Sequence, residues 1–231
     1  LNSYTIVPEI VAFTKTEWTG QQVLSNTGLN CSLVGTSINI DMFRRRPQTN
    51  SGKARPVVIA AMIRPSTPYR EPGLTMYVLR EISKHYGDMV EIRLFGCSPE
   101  GLLETELPLD FNWKLAGVLN QNQVANFFND VDIFVDFSSH QAMGLTALEA
   151  MACGSAVIVP ENGGARSYGI HGKNCLFVNT SRPELCVSAI KQLLDNSVLR
   201  RIISKNAIND VCSYYPEAAA YNILKVLFGE E

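Results

Sequence analysis

The sequence predicts an α/β fold: a doubly wound, mostly parallel sheet with helices on both faces. Three observations carry that expectation. The run VVIAAMI (57–63) is apolar throughout, as in a strand buried on both sides. Strand-like and helix-like segments then alternate as far as CLFV (175–178). Six such strands favour the spatial order 3-2-1-4-5-6, in which strands one and four are neighbours and the chain reverses between them.

The elements follow in order. PGLTMYVLREISKHYG (72–87) has apolar residues at helical spacing, with Pro72 at its start and Gly87 at its end. VEIRLFG (90–96) alternates like a strand, and WKLAGV (113–118) reads as the third. QNQVANFFNDV (121–131) is an amphipathic helix, followed by the strand DIFVDFSS (132–139). GLTALEAMACG (144–154) is a helix stopped by Gly154, and SAVIVP (155–160) is a strand closed by a proline. After CLFV come helices over about 182–195 and 197–213, and a last one follows Pro216.

Residues 1–50 have a different character. VAFTK (11–15) suggests a strand, Glu17 to Asn26 a helix and CSLVGTS (31–37) another strand. FRRRPQTNSGKARP (43–56) is basic, polar and proline-bounded, as a linker or crossover would be. The expected division is a crossover segment and linker over 1–50, a ligand-binding domain over 51–215 and a C-terminal helix over 216–231. The chain opens on Leu1 rather than Met, as a fragment or processed product would.

Composition narrows the function. The chain is 46% hydrophobic and 18% charged with a formal charge of -2, so it shows no general affinity for nucleic acid or anionic membrane. No apolar run approaches a membrane span, and no secretory signal pattern opens the chain. The six cysteines show no CxxC spacing and do not cluster with the three histidines, which favours reduced, mostly buried thiols over disulfides or zinc. Reduced thiols fit a cytoplasmic protein, including one at the inner face of a membrane. Asp130, Asp132 and Asp136 do not suggest a metal cage, because the last two flank or lie in a buried strand.

In a doubly wound sheet, ligands bind at the carboxyl ends of strands one and four. Those ends are Arg64 and the stretch from Ser138 to Gly144. Arg70 follows Arg64 in the loop RPSTPYREPG. Two guanidiniums facing the free amides of a helix start make a pyrophosphate site; the alternative is a strand cap and a solvated loop charge. Glu149 could accept hydrogen bonds from vicinal hydroxyls of a ribose or sugar, or be a surface helix acid. Gln141 can donate and accept but cannot move a proton at neutral pH; His140 beside it could, or could be structural. Gly163 and Gly164 allow close approach of backbone to a ligand, or make a plain tight turn. No P-loop, dinucleotide fingerprint or nucleophile elbow is present.

The run QAMGLTALEAMACGSAVIVPENGG (141–164) resembles the EGFGLxxLEAMACGxPVIxxxxGG run of the retaining glycosyltransferases of the large GT-B, group 1 family. VGTSINIDMFRRRP (34–47) is similar to that family's IPNGVDxxxF segment, and GIHGKNCLFV (169–178) to its GxxGLLV strand. The resemblance implies two facing Rossmann-like domains, of which this chain is the carboxy-terminal, donor-binding one. It implies a nucleoside-diphosphate sugar as donor, a missing amino-terminal acceptor domain, a glycan or lipid acceptor, and no metal or cofactor. Glu149 then takes the second position of the paired-acid motif and holds the ribose hydroxyls. Gln141 takes the first, next to the donor sugar, where the family has Glu. Ala142, Met143, Gly144 and Leu145 offer backbone amides, and Leu119 lies where the family's backbone contacts the base. Arg64 and Arg70 stand for the family's Arg and Lys, with one extra residue between. Gln141 also leaves room for a non-catalytic nucleotide-sugar module; a nucleotide-sugar isomerase would need acid and base residues that have no assignment here.

Overall fold

In the computed structural model, the described residues are 6–7, 9–47 and 55–229. The middle of the expected linker, residues 48–54, lies outside them.

The main sheet has six parallel strands: β3 (Val57–Met62), β4 (Val90–Phe95), β5 (Lys114–Leu115), β6 (Ile133–Val135), β7 (Ala156–Pro160) and β8 (Leu176–Val178). Their order is β5-β4-β3-β6-β7-β8, the doubly wound order expected, with the reversal between β3 and β6. Alternate residues of one strand enter opposite layers. Val58 and Ala60 pack with α4 (Gln121–Phe128), α5 (Leu145–Ala152) and part of α7 (Ser197–Val211). Ile59 and Ala61 pack with α2 (Pro72–Tyr86) and α6 (Pro183–Asp195). Two buried faces explain why the strands read as unbroken apolar runs.

Several strands are shorter than expected, β6 covering only Ile133–Val135 of DIFVDFSS, and two elements differ more. β5 is only two residues long; Gly117 turns to φ 78° just after it, while its carbonyl still accepts from the Gly96 N–H at 2.8 Å. A short helix α3 (Pro99–Leu103) went unread; Ser98 caps it and proline starts it, but five residues cannot display a helical period.

The amino-terminal segment makes a small parallel unit. β1 (Phe13–Thr14) pairs with β2 (Ser32–Leu33) across α1 (Glu17–Thr27). Residues 34–46 then run over the large domain. Phe43 is buried in the α4–α5 layer, and Asn129 and the Arg44–Arg46 backbone exchange hydrogen bonds. The last helix, α8 (Pro216–Phe228), buries no residue fully and reaches back through Asn222 Nδ2, which donates to the Val34 carbonyl. No helix among the described residues is long and apolar enough to cross a membrane. Cys153, Cys175 and Cys186 are buried, Cys31 and Cys97 half-buried and Cys212 exposed, so the expectation of buried thiols holds for half of them.

Candidate active site at the strand switch point

The loops after β3 and β6 meet because their strands are neighbours. Ser139 seals the meeting: its backbone N–H donates to the Tyr69 carbonyl at 2.9 Å. Arg70 and the start of α5 therefore lie at one mouth, at the carboxyl ends of the central strands. Arg64 lies two residues beyond β3 and is exposed, and among the described residues no hydrogen bond or ion pair engages its side chain.

Arg70 is held differently. It closes a 3-10 turn (Pro68–Arg70), and its Nη1 stands 3.8 Å from Asp136 Oδ2. Its Nε is buried and has no partner, a condition shared among the described side chains only by Arg80 Nε. A buried N–H left unmet is unfavourable by roughly 1–3 kcal/mol, so its persistence at a mouth invites an acceptor.

The helix start is open. Gly144 adopts φ 76°, which lets the chain turn sharply into α5. Its carbonyl is fixed by the buried Tyr168 hydroxyl at 3.0 Å, and a side chain at 144 would strike that hydroxyl. Among the described residues, the N–H groups of Ala142, Met143, Gly144 and Leu145 donate to no other protein group. Unmet amides plus the helix dipole make a place for an anion.

Gly163 and Gly164 do not simply leave space for a ligand. A Cβ on either would overlap the backbone of Gln141 or Ala142. Their absence of side chain lets Gly164 N–H donate to the Gln141 carbonyl at 2.7 Å, and residues 141 and 163 form a parallel bridge. Thr16, the fully buried cap of α1, also donates to the Ala142 carbonyl, at 2.8 Å. The loop that leads into α5 is thus held by both α1 and the Gly163–Gly164 turn.

Gln141 is 6% exposed, and its amide faces inward. Nε2 donates to Asp136 Oδ2 at 2.7 Å and to Ser138 Oγ at 3.0 Å. Asp136 Oδ1 accepts from Ser138 Oγ at 2.5 Å and from Ser138 N at 3.0 Å. His140 is exposed and stacked between Trp18 and Tyr69, with ring centroids 5.8 and 5.4 Å away.

Glu149 lies on the second turn of α5 and is half-buried. Burial pushes its carboxyl up to about 7, and among the described residues no cation or donor offsets that cost. Leu119, at the β5–α4 connection, packs against the same core layer as Met143. The structure therefore gathers Gln141, Ala142, Gly163 and Gly164 in direct contact and ties Arg70 to them through Asp136. Glu149 and Leu119 stand on the same side of the sheet, and Arg64 stands alone. Sequence reasoning missed Asp136, Thr16 and Tyr168. Only Asp136 left a signal: an acid inside the apolar strand DIFVDF.

Residues 102–210 match the family model of glycosyl transferases group 1. Over that span the chain is similar to the group 1 glycosyltransferases. The chain is 24% identical over 217 residues to the D-inositol 3-phosphate glycosyltransferase of Thermobispora bispora, a match covering 84% of the chain and 49% of that protein. Its fold resembles that of Anabaena HepE, solved with UDP and glucose, with TM-score 0.80 and 16% identity over 95% of this chain and 63% of that one. It also resembles the C-terminal domain of the group 1 glycosyl transferase LpcC from Francisella tularensis, with TM-score 0.65 and 22% identity over 78% of this chain and 99% of that one. The architecture is one Rossmann-like half of a GT-B fold. The chain spans about half the length of the Thermobispora relative and less than two thirds of HepE.

Proposed function

We propose that this chain is the donor-binding domain of a retaining hexosyltransferase that moves a sugar from a nucleoside diphosphate to a glycan or lipid acceptor. The observation that carries the proposal is the set of unmet donors at the switch point. The N–H groups of residues 142–145 and the Arg70 guanidinium surround one mouth without protein partners sufficient for them. Charge grows on the leaving diphosphate as the glycosidic bond breaks, and preorganised donors stabilise it there. Arg64 reaches the same anion as a mobile second clamp. Glu149 takes the ribose hydroxyls, Leu119 borders the base, and Gln141 borders the sugar. No residue here needs a metal for these tasks. The amino-terminal acceptor domain is a separate part of the full-length protein, and residues 1–50 are the crossover segment and linker from it. A cytoplasmic setting, including the inner face of a membrane, agrees with a nucleotide-sugar donor.

The test is a titration of the chain with UDP, GDP, ADP and dTDP and with their glucose conjugates. At least one diphosphate binds if the proposal holds; failure of all four overturns it. The chain by itself transfers no sugar, and robust transfer by the purified chain would contradict the absence of an acceptor domain. A second reading, a nucleotide-sugar-binding module without turnover, is favoured by the inward tie of Gln141. It would show donor binding but no transfer in the full-length protein.

A further inference from the structure

Gln141 has two N–H bonds on Nε2, and both are taken. One goes to Asp136 Oδ2 at 2.7 Å and the other to Ser138 Oγ at 3.0 Å. Its Oε1 accepts no bond from the protein, yet it is not among the buried polar atoms left without partners. The remaining function of this side chain is therefore a solvent-reaching acceptor. An amide can be turned over, which would exchange donor for acceptor. Asp136 removes that ambiguity. Its carboxylate only accepts, it is 8% exposed, and its other oxygen is occupied by Ser138. A carbonyl oxygen turned toward it would meet another acceptor. Asp136 sits at the carboxyl end of β6, where its backbone N–H donates to the Ile158 carbonyl at 2.9 Å, and its carboxylate is held by the Ser138 and Gln141 donors.

We infer that Asp136 is a positioning residue that fixes the Gln141 amide with donors inward and acceptor outward, and that it bars a carboxylate from position 141. This rests on the donor-site reading given above. It specifies that the group offered to the donor sugar is a neutral hydrogen-bond acceptor, suited to a sugar hydroxyl. The negative charge that a Glu at 141 would carry is instead held one side chain deeper, on Asp136, facing Arg70 at 3.8 Å. Arg70 is thereby placed between a buried carboxylate and the mouth, and it has a counter-charge whether or not an anion is bound.

A glutamate at 141 would put two carboxylates within hydrogen-bond distance. Such a pair cannot hold two full charges and shares a proton, with one acid's pKa strongly raised. The groups facing the pair are Arg70, which opposes this, and the hydroxyl of Tyr168, which burial first and then the Asp136 charge keep protonated. The expected consequence is a stability loss in Gln141→Glu that is small near pH 5 and grows toward pH 8.

The experiment combines melting curves at pH 5 and pH 8 with titrations of UDP and UDP-glucose. The proteins are the wild-type chain, Gln141→Glu, Asp136→Asn and the double variant. At pH 8, Gln141→Glu loses at least about 4 °C relative to wild type, allowing 2–4 °C for each kcal/mol in a chain of this size. The loss is at least halved at pH 5, and the Asp136→Asn background removes most of it. Additive effects, or a loss independent of pH, would overturn the proposed contact. In the binding arm, Asp136→Asn lowers the ratio of UDP-glucose to UDP affinity at least about threefold, because the Gln141 amide becomes free to flip. An unchanged ratio overturns the positioning role. If wild type binds neither probe, the melting arm still decides the contact, and the fault lies in the choice of donor or in the donor-site reading. The four-nucleotide titration separates those two; should it also fail, the positioning role falls with the donor site.

Discussion

The two ends of the same sheet treat charge in opposite ways. At the amino ends of the strands, charges satisfy one another. Arg55 grips Asp132 through two bonds of 2.8 and 2.9 Å, and the same carboxylate accepts the Val58 N–H. Glu91 is shared by Arg93 and Lys114, which holds its carboxyl below the usual range through the Lys114 bond first. At the carboxyl ends, among the described residues, Arg64 has no partner, Arg70 keeps a buried unmet N–H, and half-buried Glu149 has no offsetting cation. The comparison teaches where to look for function. A protein that pairs its charges at one end, and at the other leaves Arg64 and Glu149 without ion-pair partners among the described residues and Arg70 only partly met, stores that unmet capacity for a ligand.

The largest expected effect comes from relieving the strain at Glu149. Its folded-state pKa of about 7 lies above the ordinary 4.5. The folded protein therefore holds a proton that the unfolded chain has lost, and stability falls as pH rises from about 4.5 to 7, then levels. The total amounts to roughly 3 kcal/mol. Glu149→Gln removes this slope and is more stable than wild type at pH 8 by about that amount, measured by denaturant unfolding. A variant with the same pH slope as wild type would mean that the slope has another origin.

Next in size is the Arg70 guanidinium. Arg70→Ala weakens UDP binding by about 1.5–3 kcal/mol, the range for a hydrogen bond to a charged group, and leaves uridine binding little changed. Equal losses for both ligands would show that Arg70 acts through the fold of its loop.

The smallest effect belongs to the paired end. Arg55→Ala leaves UDP affinity unchanged and lowers stability by no more than about 1 kcal/mol, since Arg55 is 42% exposed and its bridge is screened by solvent. A change in UDP affinity here would break the contrast between the two ends.

Much of the fold could be read from the sequence because both layers of the core imprint on it. A strand such as VVIAAM, covered on each side, must be apolar at every position, and the helices between such strands show their apolar stripe. What stayed hidden was short or relational. Helix α3 lacks the length for a pattern, and β5, though read from WKLAGV, is shorter than that run. The site was partly legible: a helix start after strand four, two arginines and a buried-looking acid all lie at the switch point. The bond from Gln141 to Asp136 was not legible, because five residues of separation in a loop do not predict contact. Gly163 and Gly164 carry a similar lesson. Their small size was evident, but the group that needs it is the backbone of residues 141–142 rather than a ligand.

The central claim is that the unmet charges at the carboxyl ends await a nucleotide, with Glu149 receiving the ribose. Proton release on binding tests it most directly. Hydroxyls that donate to the Glu149 carboxylate favour its ionised form, so a group with a pKa near 7 gives up its proton when the ribose arrives. Titrations of UDP at pH 7 in buffers of different ionisation enthalpy report the number of protons released. Wild type should release about half a proton more than Glu149→Gln, the fraction protonated at its pKa. Equal release by the two proteins, with UDP bound equally well, would contradict the assignment of Glu149 to the ribose.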